Sequence, residues 1–246
     1  MSEVTYEQRR GQIENYFDRT AAAAWAKLTS DAPVGRIRAT VRAGRDQMRA
    51  TLVSWLGNDL RGKRILDAGC GTGALAVEAA RLGAQVVAID LSPTLVDLAR
   101  ERIPADVSHL VEFHSGDMLD KSLGHFDHVV AMDSIIHYQT DDAVHALAQL
   151  AERTSGSIVF TFAPRTPLLA LMISVGRLLP RSDRAPWLEP MAEKRIAQLM
   201  TTHESLAGWK CARSHRVSSG FYKSQAMEWL RAGDPKRLPS TPSKCQ

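Results

Sequence analysis

Leu66-Asp67-Ala68-Gly69-Cys70-Gly71-Thr72-Gly73 decides how this chain of 246 residues folds. A short apolar run beginning at Arg64 ends in an acid, and three glycines follow at alternate positions. From Ala74 to Leu82 the apolar spacing is helical. The segment reads as strand, glycine turn, helix, with glycines where the backbone turns tightly and leaves its amides bare. Outward from it the rhythm repeats. Gln85 to Asp90 is a second strand ending in an acid, and Ser92-Pro93 opens the next helix, with Pro at a favoured first-turn position. Leu110 to His114, Phe126 to Met132 and Ser157 to Phe162 read as further strands, with a helix across Asp142 to Arg153. Trp209 to Ser219 and Phe221 to Leu230 alternate as a closing antiparallel pair. Strands alternating with helices of ~10–15 residues make βαβ units. The expected fold is α/β and Rossmann-like: a seven-stranded, mostly parallel sheet with helices on both faces.

The flanks frame this core. Residues 1–58 read as a helical lid, broken at Thr29-Ser30-Asp31-Ala32-Pro33. Its second helix runs from Val34 to Leu56, with apolar Ile37, Val41, Met48, Leu52, Trp55 and Leu56 on one side. Arg36, Arg38, Arg42, Arg45 and Arg49 lie on the other, either as a solvated face or as an anion-binding one. Residues 59–163 are the expected core, 164–208 an inserted helical segment punctuated by proline, 209–232 the closing strands and 233–246 a disordered tail. No internal repeat is visible.

Composition narrows the class. Hydrophobic residues are 44% and charged residues 24%, values typical of a chain that buries a core. The net charge of +4 is mild and spread out, and does not call for nucleic acid. Cys70, Cys211 and Cys245 form no CxxC pair, which argues against a zinc site or a disulfide framework and for a reducing cytoplasm. The polar N-terminus lacks a signal-peptide core, and the run from Leu168 to Val175 is far short of the ~20 residues that span a bilayer.

The glycine turn and its neighbours define a ligand site. The helix N-terminus offers free amides, and Asp90 at the end of the second strand can accept both ribose hydroxyls of an adenosine. A dinucleotide loop has GxGxxG spacing. Here the spacing is GxGxG with an acid two residues ahead, and it resembles the S-adenosylmethionine loop of class I methyltransferases. Asp67 suits an ammonium and a sulfonium, and would repel a pyrophosphate. Gly116-Asp117-Met118 follows the third strand, where it can bracket adenine. The cofactor-binding set is Asp67, Gly69, Cys70, Gly71, Gly73, Asp90, Leu91, Asp117, Met118 and Met132.

The loop after the fourth strand, Met132-Asp133-Ser134-Ile135-Ile136-His137-Tyr138, lacks the (N/D)PP(Y/F) motif of base methyltransferases. An oxygen or carbon acceptor is therefore expected. Asn15-Tyr16-Phe17-Asp18-Arg19-Thr20-Ala21, the stretch Arg36 to Arg45, the glycine loop, the Ile135-Ile136-His137-Tyr138 turn and Ser218-Ser219-Gly220-Phe221-Tyr222 together resemble the magnesium-protoporphyrin IX O-methyltransferases of (bacterio)chlorophyll synthesis. The resemblance covers roughly residues 5–230, and the chain departs from the family's apolar ending after about 225.

That resemblance implies methyl transfer from S-adenosylmethionine to a propionate of magnesium-protoporphyrin IX, giving the 13-monomethyl ester and S-adenosylhomocysteine. Magnesium enters only as part of the substrate. The resemblance assigns catalysis to Tyr16 and His137. Arg36, Arg38, Arg42 and Tyr138 are the substrate-binding candidates, and the apolar stretch Pro167 to Ile173 is a cover for the macrocycle. It also implies hand-over from the porphyrin-binding large subunit of magnesium chelatase. A basic helix and an apolar stretch are compatible with peripheral contact with a photosynthetic membrane. The alternatives are a quinone-type O- or C-methyltransferase and a non-catalytic, cofactor-binding assembly partner.

Overall fold

The computed structural model describes residues 6–21, 29, 35–165 and 188–232. Two helical stretches precede the sheet. Helix α1 (Tyr6–Asn15) runs into a π-helical turn (Tyr16–Ala21), and helix α2 spans Arg36–Leu56. The core then alternates: β1 (Arg64–Ala68), α3 (Ala74–Arg81), β2 (Gln85–Asp90), α4 (Pro93–Arg102), β3 (Val111–Ser115), β4 (Phe126–Ala131), α5 (Thr140–Glu152) and β5 (Thr154–Phe162). Helix α6 (Glu193–Thr202) leads to the hairpin β6 (Trp209–Ser219) and β7 (Tyr222–Arg231).

The seven strands form one sheet in the order β3-β2-β1-β4-β5-β7-β6. Neighbours are parallel from β3 to β5, and β7 runs antiparallel to both β5 and β6. The parallel strands are apolar on both sides because helices cover both faces. Leu66, Val87, Val129 and Phe160 feed one buried cluster with α5 and α6, while Ile65, Val86, Val130 and Val159 feed the other with α2 and α3. The strand order reverses between β1 and β4, where open α/β sheets place ligands at the carboxyl ends of their strands.

Several details differ from the sequence expectation. The helical spacing around Tyr16 resolves into a π turn, and β5 starts at Thr154, three residues before the expected Ser157. Ile37 was expected on the packed face of α2 but is 59% exposed, because only the later turns of that helix meet the sheet. Cys70 is a buried free thiol. The apolar stretch Pro167 to Ile173 and the tail 233–246 lie outside the described residues.

Helix α2 seats on the hairpin through two glycines. A Cβ at Gly44 would fall 2.6 Å from Tyr222 Cδ1, and one at Gly220 would fall 2.3 Å from Thr40 Oγ1. Ser219 Oγ donates to the Thr40 carbonyl at 3.0 Å. This close approach sets which residues of α2 reach the ends of β4, β5 and β7.

Candidate active site

A cavity of about 300 Å³ opens over the carboxyl ends of β1 to β4. Its floor is the glycine turn after β1. Gly69, Gly71 and Gly73 all have positive φ, of 89°, 52° and 79°. The amides of Gly69 and Cys70 both donate to the Ile89 carbonyl, at 2.8 and 2.9 Å, drawing the turn across β2. Only hydrogen fits at Gly69, since a Cβ there would sit 2.3 Å from Ser134 Cβ. Gly73 does not line the cavity. It caps α3 in a left-handed conformation, with the Phe113 ring 3.0 Å from where a Cβ would be. In the fold Gly73 serves packing between α3 and β3.

Two acids stand beside this floor. Asp67 is 1% exposed, and its Oδ2 is buried without a hydrogen-bond partner. Burial, with Asp90 nearby, pushes its carboxyl up to about 7. Asp90 accepts from the Gly71 amide at 2.8 Å and the Ser92 amide at 3.0 Å, so it ties the glycine turn to the start of α4. Burial raises its pKa, and these amides oppose the rise. Leu91, Met118 and Met132 complete the walls on this side.

Asp117 is held from the N-terminal segment. Its Oδ1 accepts from Tyr6 Oη at 3.1 Å, and its Oδ2 pairs with Arg10 at 2.6 Å. Tyr6 stacks on Tyr138 with ring centroids 4.9 Å apart. Tyr138 is buried, which pushes its phenol up to about 12 and keeps it neutral. His137 is buried at the end of the turn Ile135–His137 and meets the Phe17 ring edge-on at 5.7 Å. Asp18, on the same N-terminal stretch, accepts from Ser92 Oγ and the Thr94 amide at 3.2 and 3.1 Å. The segment thus docks at the far end of β3 and at the start of α4, spanning the cavity.

Tyr6, Ile13 and Phe17 are the residues this segment contributes to the cavity lining. Tyr16 is not among them; its ring meets Phe17 edge-on at 5.2 Å.

The basic face of α2 divides along its length. Arg42, Arg45 and Arg49, spaced three and four apart on one helix face, line the cavity. Arg36 and Arg38 are exposed and do not. Arg49 pairs with Glu78 at 2.5 Å and Asp46 at 2.9 Å. Arg45 pairs with Asp133 at 2.9 Å. Asp133 has φ 54°, rare for a residue with a side chain. Three elements hold it: the Thr161 hydroxyl on β5, the Tyr222 hydroxyl on β7 at 3.1 Å, and Arg45. Sequence reading missed Asp133 as a site residue, and no local pattern flags it. Phe17 was visible only as an apolar helix position.

A family model described as magnesium-protoporphyrin IX methyltransferase C-terminus matches residues 131–231, and one described as methyltransferase domain matches 65–155. The chain is 47% identical to the magnesium-protoporphyrin O-methyltransferase of Rhodobacter capsulatus, over 91% of this chain and 97% of that protein. The chain belongs to the magnesium-protoporphyrin O-methyltransferase family. A crystal structure of the magnesium protoporphyrin IX methyltransferase of Synechocystis PCC 6803, with bound S-adenosylhomocysteine, is similar at TM-score 0.79 and 27% identity. It is matched over 91% of this chain and 100% of that one. A ubiquinone biosynthesis O-methyltransferase of Xanthomonas oryzae is 33% identical, but over 68% of this chain and 71% of that protein. The residues 131–231 matched by the first model include the His137 turn, α6 and the hairpin.

Proposed function

We propose that the chain transfers the methyl group of S-adenosylmethionine to a propionate carboxylate of magnesium-protoporphyrin IX, forming the monomethyl ester and S-adenosylhomocysteine. The observation that carries this reading is the make-up of the cavity's two walls. Asp67, Asp90 and Asp117 stand over β1 to β3, while guanidinium groups of Arg42, Arg45 and Arg49 line it from α2, Arg45 held by Asp133 and Arg49 by Asp46 on that same wall. A cationic cofactor suits the first side and a dianionic macrocycle the second.

The residues present fit the cofactor. Asp67 Oδ2 is an orphaned buried acceptor beside a bare-backbone turn, the environment an ammonium would satisfy. Asp90 would hold the ribose hydroxyls, Asp117 and Met118 would bracket the adenine, and Leu91 and Met132 would close the walls. When bound, S-adenosylmethionine supplies an electrophilic methyl group on a cationic sulfur. A propionic acid resembles Glu, with pKa ~4.3, and is ionised at neutral pH, so no strong base is demanded. Orientation is then the main contribution, and it can supply roughly 7–11 kcal/mol. His137 holds the carboxylate in place, while Phe17 and Tyr6 exclude water over it.

No helix among the described residues is long and apolar enough to cross a membrane. We infer peripheral membrane contact, supported by exposed Ile37 and Phe221 beside Arg36 and Arg38. Delivery of substrate by the porphyrin-binding subunit of magnesium chelatase is inferred from the family resemblance.

The test is a methyl-transfer assay offering magnesium-protoporphyrin IX and, separately, metal-free protoporphyrin IX. The expected product is a monomethyl ester identified by mass. Absence of ester from both porphyrins, with S-adenosylhomocysteine still bound, would reject the acceptor. His137→Ala is expected to lower kcat by about 10²-fold through lost positioning of the carboxylate, while leaving cofactor affinity within about threefold.

A further inference from the structure

The acceptor carries two propionates, and only one is methylated. What becomes of the other is not settled by the cofactor site, but the opposite wall of the cavity bears on it. Arg45 reaches that wall from α2, with its side chain 18% exposed. It is held there by Asp133 at 2.9 Å, whose own side chain is 7% exposed. Asp133 is in turn fixed by the hydroxyls of Thr161 and Tyr222, at 3.2 and 3.1 Å. Its φ of 54° is a strained conformation that persists only where several contacts hold it. Such an outlier, next to the turn that carries His137, points to a position built for function. Its effect is to fix one guanidinium on the cavity wall, in the planar form that matches a carboxylate.

Which propionate this guanidinium takes follows from the reaction. A carboxylate oxygen forms a bond to the methyl carbon, the carbon–sulfur bond breaks, and its electron pair stays on sulfur. No proton moves, and the carboxylate's negative charge disappears. A guanidinium on the reacting carboxylate would stabilise the charged ground state more than the transition state, and would slow the step. On the carboxylate that does not react, the charge persists throughout, and the same contact only anchors.

We propose that Arg45, set by Asp133, binds the propionate that is not methylated, and that this demand for a second free carboxylate limits the enzyme to a single methyl transfer. Once one ester has formed, methylating the other propionate would require the macrocycle to turn over and bring the ester to Arg45. An ester cannot accept the charge-assisted pair. The inference rests on the porphyrin reading above.

The experiment compares magnesium-protoporphyrin IX with its monomethyl ester as acceptors, for wild type, Arg45→Gln and Arg45→Lys. Calorimetry with S-adenosylhomocysteine verifies that each variant keeps its cofactor cleft. Wild type is expected to favour the diacid strongly. Arg45→Gln is expected to raise KM for the diacid about tenfold or more, the loss of one charge-assisted contact, with a smaller change in kcat. Its preference for diacid over monoester should fall toward one, with diester accumulating. Arg45→Lys, which keeps the charge but not the planar fork, should lie between. If both variants bind S-adenosylhomocysteine and keep wild-type KM and preference within twofold, the inference is overturned and the porphyrin reading stands. Failure of wild type to esterify either acceptor overturns both.

Discussion

Gly69 admits no side chain, for two separate reasons. Its φ of 89° disfavours a Cβ, and that Cβ would strike Ser134 at 2.3 Å. Gly69→Ala is expected to cost about 1–3 kcal/mol of stability and to abolish S-adenosylhomocysteine binding, checked by thermal melts and calorimetry. Asp67 carries a pH signature. Its carboxyl lies at about 7 in the ligand-free fold, against an ordinary 3.8. Between those values the folded chain binds the extra proton, so stability should fall as pH rises from about 4 to about 7 and flatten outside that window. Asp67→Asn should remove this slope. Cofactor affinity should show the opposite trend, weakening as pH drops below about 7, because an ammonium pairs with the ionised acid. Titration calorimetry across pH 5.5–8.5 checks this, and an affinity flat in pH would reject the pairing. Asp67, Asp90 and the glycines were legible in the sequence because a turn of this kind is built from consecutive residues. Asp133 was not, since its contacts come from residues 28 and 89 positions away.

At the scale of elements, the two N-terminal pieces behave differently. Helix α1 has no apolar stripe of consequence; Arg9 and Ile13 are its buried residues. It is held largely by side-chain bonds to other elements, among them Tyr6 and Arg10 on Asp117 and Arg9 on Glu189. Asp117→Ala is therefore expected to release it. Trypsin should then cut after Arg9 and Arg10 several-fold faster, while cleavage within the sheet stays slow, as followed by mass spectrometry. Unchanged cleavage would show that Asp117 does not hold the helix. Helix α2 is seated by shape. Gly44→Leu would drive a side chain into Tyr222 and is expected to cost about 1–3 kcal/mol. The spacing of arginines along α2 was legible as a stripe. Which end of the stripe meets the cavity was not, because the crossing at Gly44 and Gly220 decides it.

For the whole molecule, the cavity lies where α2, α1 and the ends of four strands converge. A ligand there ties both faces of the sheet to its N-terminal cover. S-adenosylhomocysteine at 100 times its Kd contributes about 2.7 kcal/mol, which for a chain of this length should raise Tm by about 5–10 °C. Asp90→Ala should lose most of that rise. A wild-type Tm unmoved by the ligand would mean that the folded chain does not bind it.

The sequence by itself determined the alternating α/β core, the sheet's strands to within a few residues, the glycine turn with its two acids, and the family. These are properties of short stretches, where period, turn chemistry and local charge act between neighbours. Only the tertiary structure decided that Phe17 faces the cavity in place of Tyr16, and that Arg45 and Arg49 do so in place of Arg36 and Arg38. It alone placed Asp133 at the meeting point of α2, β5 and β7. Helical period assigns a residue to a face, but the part of that face covering a site depends on where two distant segments cross. That crossing is set by close packing between residues far apart in the chain.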